Sequence, residues 1–256
     1  MNNSPIGVYD SGFGGLSVWR ELYRALPEES IIYLGDGKNC PYGQKSAEEI
    51  RVLATESVRE LLSRGCKMIV VACNTATAAA IEHLRAMFSD VPFVGLEPAV
   101  KPACKSTRSG VVGVIATERS LKSEKFLATL AKYGEGVEVI RAVGEGFVEA
   151  VEANAEALTS TEQTVMAVVE PIIARGADVL VLGCTHYPFL RDVIAKVVGE
   201  RDVEIIDSGE AVEKRVESLL DEYDLRAEAG HKAEYEFISF ADGNYAERLR
   251  CKAFSE

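Results

Sequence analysis

Two cysteines end similar apolar segments in the two halves of the chain. Cys73 follows the run KMIVVA, and Cys184 follows the run ADVLVLG. Each cysteine is followed at once by residues with hydrogen-bonding side chains: Asn74 and Thr75 after Cys73, and Thr185 and His186 after Cys184. A thiolate is a base and a nucleophile, and nearby polar groups favour its formation. The repeated context predicts two basic thiols, one for each face of a polar ligand.

The segments upstream of the two cysteines also resemble each other. PIGVYDSGFGG places Asp10 and Ser11 at a strand end, and VVGVIATERS places Thr117 at an equivalent point. Gly113 lies 106 positions after Gly7, and Cys184 lies 111 positions after Cys73. Such similar offsets predict two related half-domains, with the ligand between them. We expect residues 1–97 and 208–256 to form the first domain and residues 98–207 to form the second.

Apolar, β-branched runs alternate with segments of helical period along the whole chain. Strands are predicted near residues 5–9, 31–35, 68–73, 92–96, 111–116, 137–143, 178–183, 203–207 and 235–240. Helices are predicted over 14–26, 46–64, 75–88, 119–133, 161–175, 188–198 and 209–222. This alternation predicts an α/β fold with mostly parallel sheets flanked by helices, in which ligands bind at the carboxyl ends of the strands.

The composition of the 256 residues excludes several classes of function. The net charge is −12, from 40 acidic and 28 basic side chains, and no long basic run is present, which argues against a nucleic-acid partner. No run is long and apolar enough for a membrane span or a signal peptide, so we expect a cytoplasmic protein. The six scattered cysteines are expected to be free thiols, and without a CxxC pair a zinc site is not expected.

Other motifs have an ordinary structural reading beside a functional one. DSGFGG lacks the spacing of a phosphate-binding loop and predicts a tight glycine turn. Pro188 predicts a helix that begins beside the thiol of Cys184. The turn containing Tyr42 and Gly43 serves either as a simple turn or as a source of backbone amides for a ligand. From the residues alone, Glu152 reads as an exposed helix charge.

At these residues the chain resembles the glutamate racemases of the cofactor-independent amino-acid racemase superfamily. The motifs that carry the resemblance are IGVYDSGFGGLSV, YLGDGKNCPYGQKS, ACNTATAAA, GVIATERSLKS and LGCTHYPFL, in the order and spacing of the family. They span essentially the whole chain. The resemblance implies two α/β domains that face each other across a cleft, in agreement with the repeat.

The resemblance also implies roles for individual residues. Cys73 would act on D-glutamate with assistance from Asp10, and Cys184 would act on L-glutamate with assistance from His186 and Glu152. The substrate contacts carried over from the family are Asp10, Ser11, Tyr42, Gly43, Asn74, Thr75, Thr117, Thr185 and His186. No cofactor or metal is implied. The family further implies a homodimer that supplies D-glutamate for peptidoglycan synthesis.

Three alternatives remain open from the residues. The first is an aspartate racemase or another member of the superfamily, because one methylene of the substrate contributes only about 1–3 kcal/mol in a pocket. A thiol hydrolase could use Cys184 and His186 as nucleophile and base, although Cys73 would then be unexplained. A sensor protein would bind an amino acid without turning it over.

Overall fold

The computed structural model describes residues 1–255. The strands are β1 Ile6–Asp10, β2 Ile31–Gly35, β3 Met68–Val71, β4 Phe93–Gly95, β5 Val111–Ala116, β6 Glu138–Val143, β7 Val179–Gly183, β8 Glu204–Ile206 and β9 Tyr235–Ser239. The helices are α1 Leu16–Ala25, α2 Ala47–Ser63, α3 Asn74–Met87, α4 Val100–Ser106, α5 Glu118–Lys122, α6 Glu124–Tyr133, α7 Phe147–Glu152, α8 Thr159–Ile173, α9 Arg191–Val198, α10 Gly209–Glu222 and α11 Tyr245–Phe254. Short 3-10 helices span Tyr42–Gln44 and Tyr187–Leu190.

The chain divides into two compact units. Unit 1 contains Met1–Leu96 together with the described residues from Gly209 onward, and unit 2 contains Glu97–Ser208. The C-terminal segment belongs to unit 1 because β9 pairs with β2.

Each unit is built on one parallel sheet. The five-stranded sheet of unit 1 has the order β4-β3-β1-β2-β9, and the four-stranded sheet of unit 2 has the order β6-β5-β7-β8. The predicted α/β class with parallel sheets is therefore confirmed. Parallel strands that are covered by helices on both faces read as continuous apolar runs. Accordingly, every residue of β1, β3 and β7 is buried.

The helices depart from the prediction in several places. Ser123 divides the helix expected over 119–133, because its extended backbone ends α5 and its hydroxyl caps α6 by accepting from the N–H of Phe126. The helices α4, α7 and α11 lie outside the predicted ranges. The helix expected from residue 188 begins as the 3-10 turn, and α9 starts only at Arg191.

Two further observations concern the described residues. None of their helices is both long enough and apolar enough to cross a membrane. All six cysteines lie in this part of the chain, and none of them forms a disulfide.

Candidate active site

In unit 1 the thiol of Cys73 lies at the start of a helix. Cys73 follows β3 and is the N-terminal cap of α3, where its Sγ accepts a hydrogen bond from the N–H of Ala76 at 3.4 Å. The hydroxyl of Ser11 lies 3.6 Å from the same sulfur. The N-terminus of a helix favours a negative charge. The helix predicted over 75–88 is present and begins directly after Cys73, whereas the helix predicted beside Cys184 starts as the 3-10 turn Tyr187–Leu190.

A tight loop that starts at Asp10 brings Ser11 to this thiol. Asp10 ends β1 and is fully buried, and its Oδ1 accepts from the N–H of Gly12 at 2.8 Å. The hydroxyl of Tyr33 fixes the other side of the loop by donating to the carbonyl of Gly12 at 2.7 Å. A Cβ on Gly15 would lie 2.6 Å from the Cβ of Asp10, so only glycine permits this approach.

Asn74 and Thr75 are buried in the first turn of α3. Within residues 1–255, the side-chain nitrogen of Asn74 has no hydrogen-bond partner, and only 5% of the residue is exposed. Buried amide groups without a partner are rare in proteins and need an explanation such as a bound ligand or water. Nδ2 of Asn74 is therefore a candidate donor to a bound anion next to Cys73.

In unit 2 the thiol of Cys184 has a histidine and a glutamate in series. Cys184 follows β7 and is buried. Its Sγ lies 3.8 Å from Nδ1 of His186, and Nε2 of the same ring lies 2.7 Å from Oε1 of Glu152. If Nε2 carries the proton that Glu152 accepts, Nδ1 of the neutral ring presents a lone pair to the thiol. In this arrangement His186 can take the proton of the Cys184 thiol, and Glu152 can stabilise the resulting imidazolium.

Glu152 is not the exposed helix charge that its local sequence suggests, since only 19% of its side chain is exposed. Tyr187 packs against α7, the helix that ends at Glu152. The Tyr187 ring packs edge-on against Phe147 of α7, with centroids 5.0 Å apart, and its hydroxyl donates to the carbonyl of Gly144 at 3.4 Å. A Cβ on Gly144 would lie 2.5 Å from that hydroxyl oxygen. Tyr187 therefore connects the Cys184 loop to α7.

The tyrosine beside Cys184 is a neutral group. Burial, followed by the charge that Cys184 carries as a thiolate and by the charge of Glu149, raises the pKa of Tyr187 well above its usual value. The hydroxyl therefore remains a hydrogen-bond donor throughout the physiological range.

The two threonines of unit 2 occupy different positions. Thr185 is buried directly after Cys184. Thr117 follows β5 and caps α5, with its Oγ1 accepting from the N–H of Ser120 at 3.3 Å and lying 2.9 Å from the hydroxyl of Ser120. The local structure thus uses the Thr117 hydroxyl as a helix cap.

Nine of the twelve residues predicted for the site fall into two clusters, each within one unit. The Cys73 cluster contains Asp10, Ser11, Cys73, Asn74 and Thr75, and the Cys184 cluster contains Cys184, Thr185, His186 and Glu152. Tyr42 is buried at the start of its 3-10 helix, where its hydroxyl donates to Asp36 at 2.6 Å, and Gly43 follows it half-buried. Sequence reasoning missed Tyr187, Asp36 and Tyr9. A signal for Asp36 was present, because it follows β2 as Asp10 ends β1.

Comparisons with known proteins identify the family. A family model described as Asp/Glu/hydantoin racemase matches residues 7–215. A glutamate racemase from Ectopseudomonas mendocina is 48% identical over 89% of this chain and 87% of its own length. The crystal structure of glutamate racemase from Francisella tularensis in complex with D-glutamate has a TM-score of 0.83 at 30% identity, covering 99% of this chain and 94% of that chain. The Escherichia coli glutamate racemase, in complex with L-glutamate and the activator UDP-MurNAc-Ala, has a TM-score of 0.84 at 32% identity, covering 96% and 92%. This chain belongs to the aspartate/glutamate/hydantoin racemase family.

Proposed function

We propose that this chain is a glutamate racemase that interconverts L- and D-glutamate with two thiols. One observation carries the proposal: each unit holds a buried cysteine within two residues of the end of a strand, and each cysteine has its own polar partners. The three relatives described above are named glutamate racemase, and two of them are described as complexes with D-glutamate and with L-glutamate.

The proposed reaction divides one proton exchange between two groups. In the L-to-D direction, His186 takes the thiol proton of Cys184, and the resulting thiolate removes the α-proton of L-glutamate. Cys73, as a thiol, then delivers its own proton to the opposite face of the α-carbon. The D-to-L direction reverses these steps, with Cys73 as the base and with Asp10 and Ser11 beside it. Both an acid and a base are needed in each direction.

The α-proton of an amino acid is weakly acidic, so the site must stabilise the charge that develops on the carboxylate. Preorganised donors in a site shielded from water are the strongest means of doing so. We assign this function to the amide of Asn74, the hydroxyls of Thr75 and Thr185, and the backbone of Tyr42 and Gly43. The buried Nδ2 of Asn74, which has no partner within residues 1–255, supports this assignment. The proposal also includes the domain boundaries near residues 97 and 208 and a substrate contact from Thr117.

Several wider properties belong to the proposal as well. The reaction needs no pyridoxal phosphate and no metal, because the two thiols supply both the acid and the base. Six cysteines without a disulfide support a reducing, cytoplasmic location. The family resemblance supports a homodimer and a role in supplying D-glutamate for peptidoglycan.

The test is an assay with L-glutamate in metal-free, pyridoxal-free buffer, followed by chiral separation of the products. We expect D-glutamate from the wild type and no net racemisation from Cys73→Ala or Cys184→Ala, with unchanged circular dichroism. Activity with aspartate in place of glutamate would reassign the substrate. If the Cys73→Ala enzyme instead cleaved a bond of its substrate, a hydrolase would be favoured. Cys184, His186 and Glu152 would then serve as its cysteine-histidine-carboxylate series.

A further inference from the structure

A buried chain of hydrogen bonds runs through unit 1 beside the Cys73 cluster. The hydroxyl of Tyr9 donates to the hydroxyl of Tyr42 at 2.8 Å, and the hydroxyl of Tyr42 donates to Oδ2 of Asp36 at 2.6 Å. The side-chain nitrogen of Asn39 contacts both carboxylate oxygens of Asp36 at 3.0 Å. We refer to Tyr9, Tyr42 and Asp36 as the Tyr9–Tyr42–Asp36 chain.

All three members are removed from water. The exposed fraction is 0% for Tyr9, 1% for Tyr42 and 0% for Asp36. Burial raises the pKa of Asp36, and the hydrogen bonds from Tyr42 and Asn39 oppose that change. Burial, followed by the neighbouring Tyr9 and Asp36, raises the pKa of Tyr42 far above its usual value, so Tyr42 stays a neutral donor. A buried carboxylate is costly unless such donors satisfy it.

Both ends of the Tyr9–Tyr42–Asp36 chain contact segments that carry residues of the proposed site. Asp36 follows β2, and its N–H donates to the carbonyl of Asp10 at 2.9 Å. At the other end, the carbonyl of Tyr9 accepts from the N–H of Ala72 at 2.7 Å, one residue before Cys73. The side chains of Tyr9, Tyr42 and Cys73 belong to the same core cluster. After burial, the charge of Cys73 is the next largest factor that raises the pKa of Tyr9.

The Tyr9–Tyr42–Asp36 chain also fixes the loop between β2 and α2. Asp36 accepts from Tyr42 across the loop and from Asn39 within it, and the backbone N–H of Asn39 donates to the carbonyl of Asp36 at 3.1 Å. The carboxylate of Asp36 therefore holds the loop at two points, Asn39 and Tyr42. Replacing both partners of a buried hydrogen bond by apolar groups of the same shape can be nearly neutral, so stability alone does not require these polar side chains.

We propose that the Tyr9–Tyr42–Asp36 chain positions the loop of residues 36–44 for substrate binding. Asp36 and Tyr9 are thus positioning residues, and the hydroxyl of Tyr42 is committed to the chain. The loop then offers its backbone at Tyr42 and Gly43 to the carboxylate of glutamate, and no side-chain hydroxyl. This inference rests on the proposed racemase function and deepens it.

A double-mutant cycle in steady-state kinetics tests the inference. Tyr42→Phe, Asp36→Asn and the double variant are assayed with both enantiomers, and KM and kcat are determined separately. We expect each single change to raise KM by about 3- to 10-fold with a smaller change in kcat, which is the size of one hydrogen bond. The double variant should be no worse than the more impaired single variant, because both changes break the same chain.

Tyr9→Phe removes one oxygen from the far end of the chain and provides a milder test. It should raise KM in the same direction, even if Asp36→Asn folds poorly. Tyr235→Phe is the matched control, since Tyr235 lies in β9 of the same sheet and outside the chain. Its KM should equal that of the wild type.

Two results would overturn the inference while leaving the racemase intact. One is an Asp36→Asn or Tyr9→Phe enzyme with the KM of the wild type. The other is a double variant whose KM increase is the product of the two single increases, since Tyr42 would then bind substrate independently of Asp36. Failure of the wild type to racemise glutamate is a separate result, and it would overturn the proposed function itself.

Discussion

The imidazole of His186 lies between a carboxylate and a thiol, with Nε2 at 2.7 Å from Oε1 of Glu152 and Nδ1 at 3.8 Å from Sγ of Cys184. Cys73 instead caps α3, and the hydroxyl of Ser11 lies 3.6 Å from its Sγ. The two thiols thus have different surroundings, a histidine beside Cys184 and a helix N-terminus at Cys73.

The first prediction concerns the carboxylate that orients His186. Glu152→Gln keeps the size of the side chain but removes the charge that stabilises the imidazolium. We expect kcat/KM to fall by about 10- to 100-fold. The fall should be equal in both directions, since the two enantiomers have the same free energy in water and kcat/KM must match. Steady-state assays with each enantiomer measure it.

Glu149→Gln is the matched control for this experiment, because Glu149 is an exposed residue of the same helix α7. Its activity should remain within about two-fold of the wild type, as expected for a surface change. Equal losses in both variants would mean that the negative charge of α7 as a whole, and not the contact from Glu152 to His186, supports the reaction.

The second prediction follows the transferred proton in the wild type. L-Glutamate that is turned over in deuterated water should yield D-glutamate carrying deuterium at the α-carbon. The proton delivered to the product comes from a thiol that has already equilibrated with solvent, whereas the abstracted proton stays on the other face. Mass spectrometry at low conversion measures the label. Product that retains mostly the original hydrogen would indicate one shared base in place of two thiols.

The sequence was sufficient to predict the sheets and the placement of Cys73 and Cys184 after buried strands. All nine predicted strands are present, because buried parallel strands read as uninterrupted apolar runs such as those of β3 and β7. The contact from Glu152 to His186 was predictable only by family resemblance. The two residues are 34 positions apart, and they meet because Tyr187 packs against Phe147 on α7. No local periodicity encodes that packing.

The Tyr9–Tyr42–Asp36 chain was missed for a similar reason. Tyr9 is separated from Tyr42 by 33 positions, and each tyrosine alone reads as an ordinary core or turn residue. The break at Ser123 depends on a single hydroxyl that competes with the helix backbone, which averaging over a helical window conceals.

The third prediction concerns stability in acid. The carboxylate of Asp178 accepts from the hydroxyl of Thr107 at 2.5 Å and from the N–H groups of Arg108 and Ser109 at 2.7 and 2.9 Å. Burial by itself would raise the pKa of Asp178, but these hydrogen bonds outweigh it and lower the pKa to about 2. Because the folded pKa lies below the unfolded value of about 3.9, this stabilisation is present above pH 4 and is lost as the pH falls through about 2.

Asp178→Asn should therefore lower the free energy of unfolding by about 2 kcal/mol at neutral pH, and the difference from the wild type should shrink below about pH 4. Denaturant titrations at several pH values measure it. Asp202→Asn is the control, because the Asp202 side chain is 85% exposed and pairs only at the surface with Arg108. A difference for Asp178→Asn that stays constant down to pH 2 would show that its charge is not the source of the stability.

The last prediction separates the two half-reactions. Each single-thiol variant keeps one base, so it should exchange the α-proton of one enantiomer with solvent without producing the other. Cys184→Ala should incorporate deuterium into D-glutamate through Cys73, and Cys73→Ala should incorporate it into L-glutamate through Cys184. Each thiol removes a proton, exchanges it with deuterated water and returns a deuteron to the same face. Proton NMR of the α-hydrogen follows the loss of signal. Exchange of the same enantiomer by both variants would contradict the assignment of one thiol to each face.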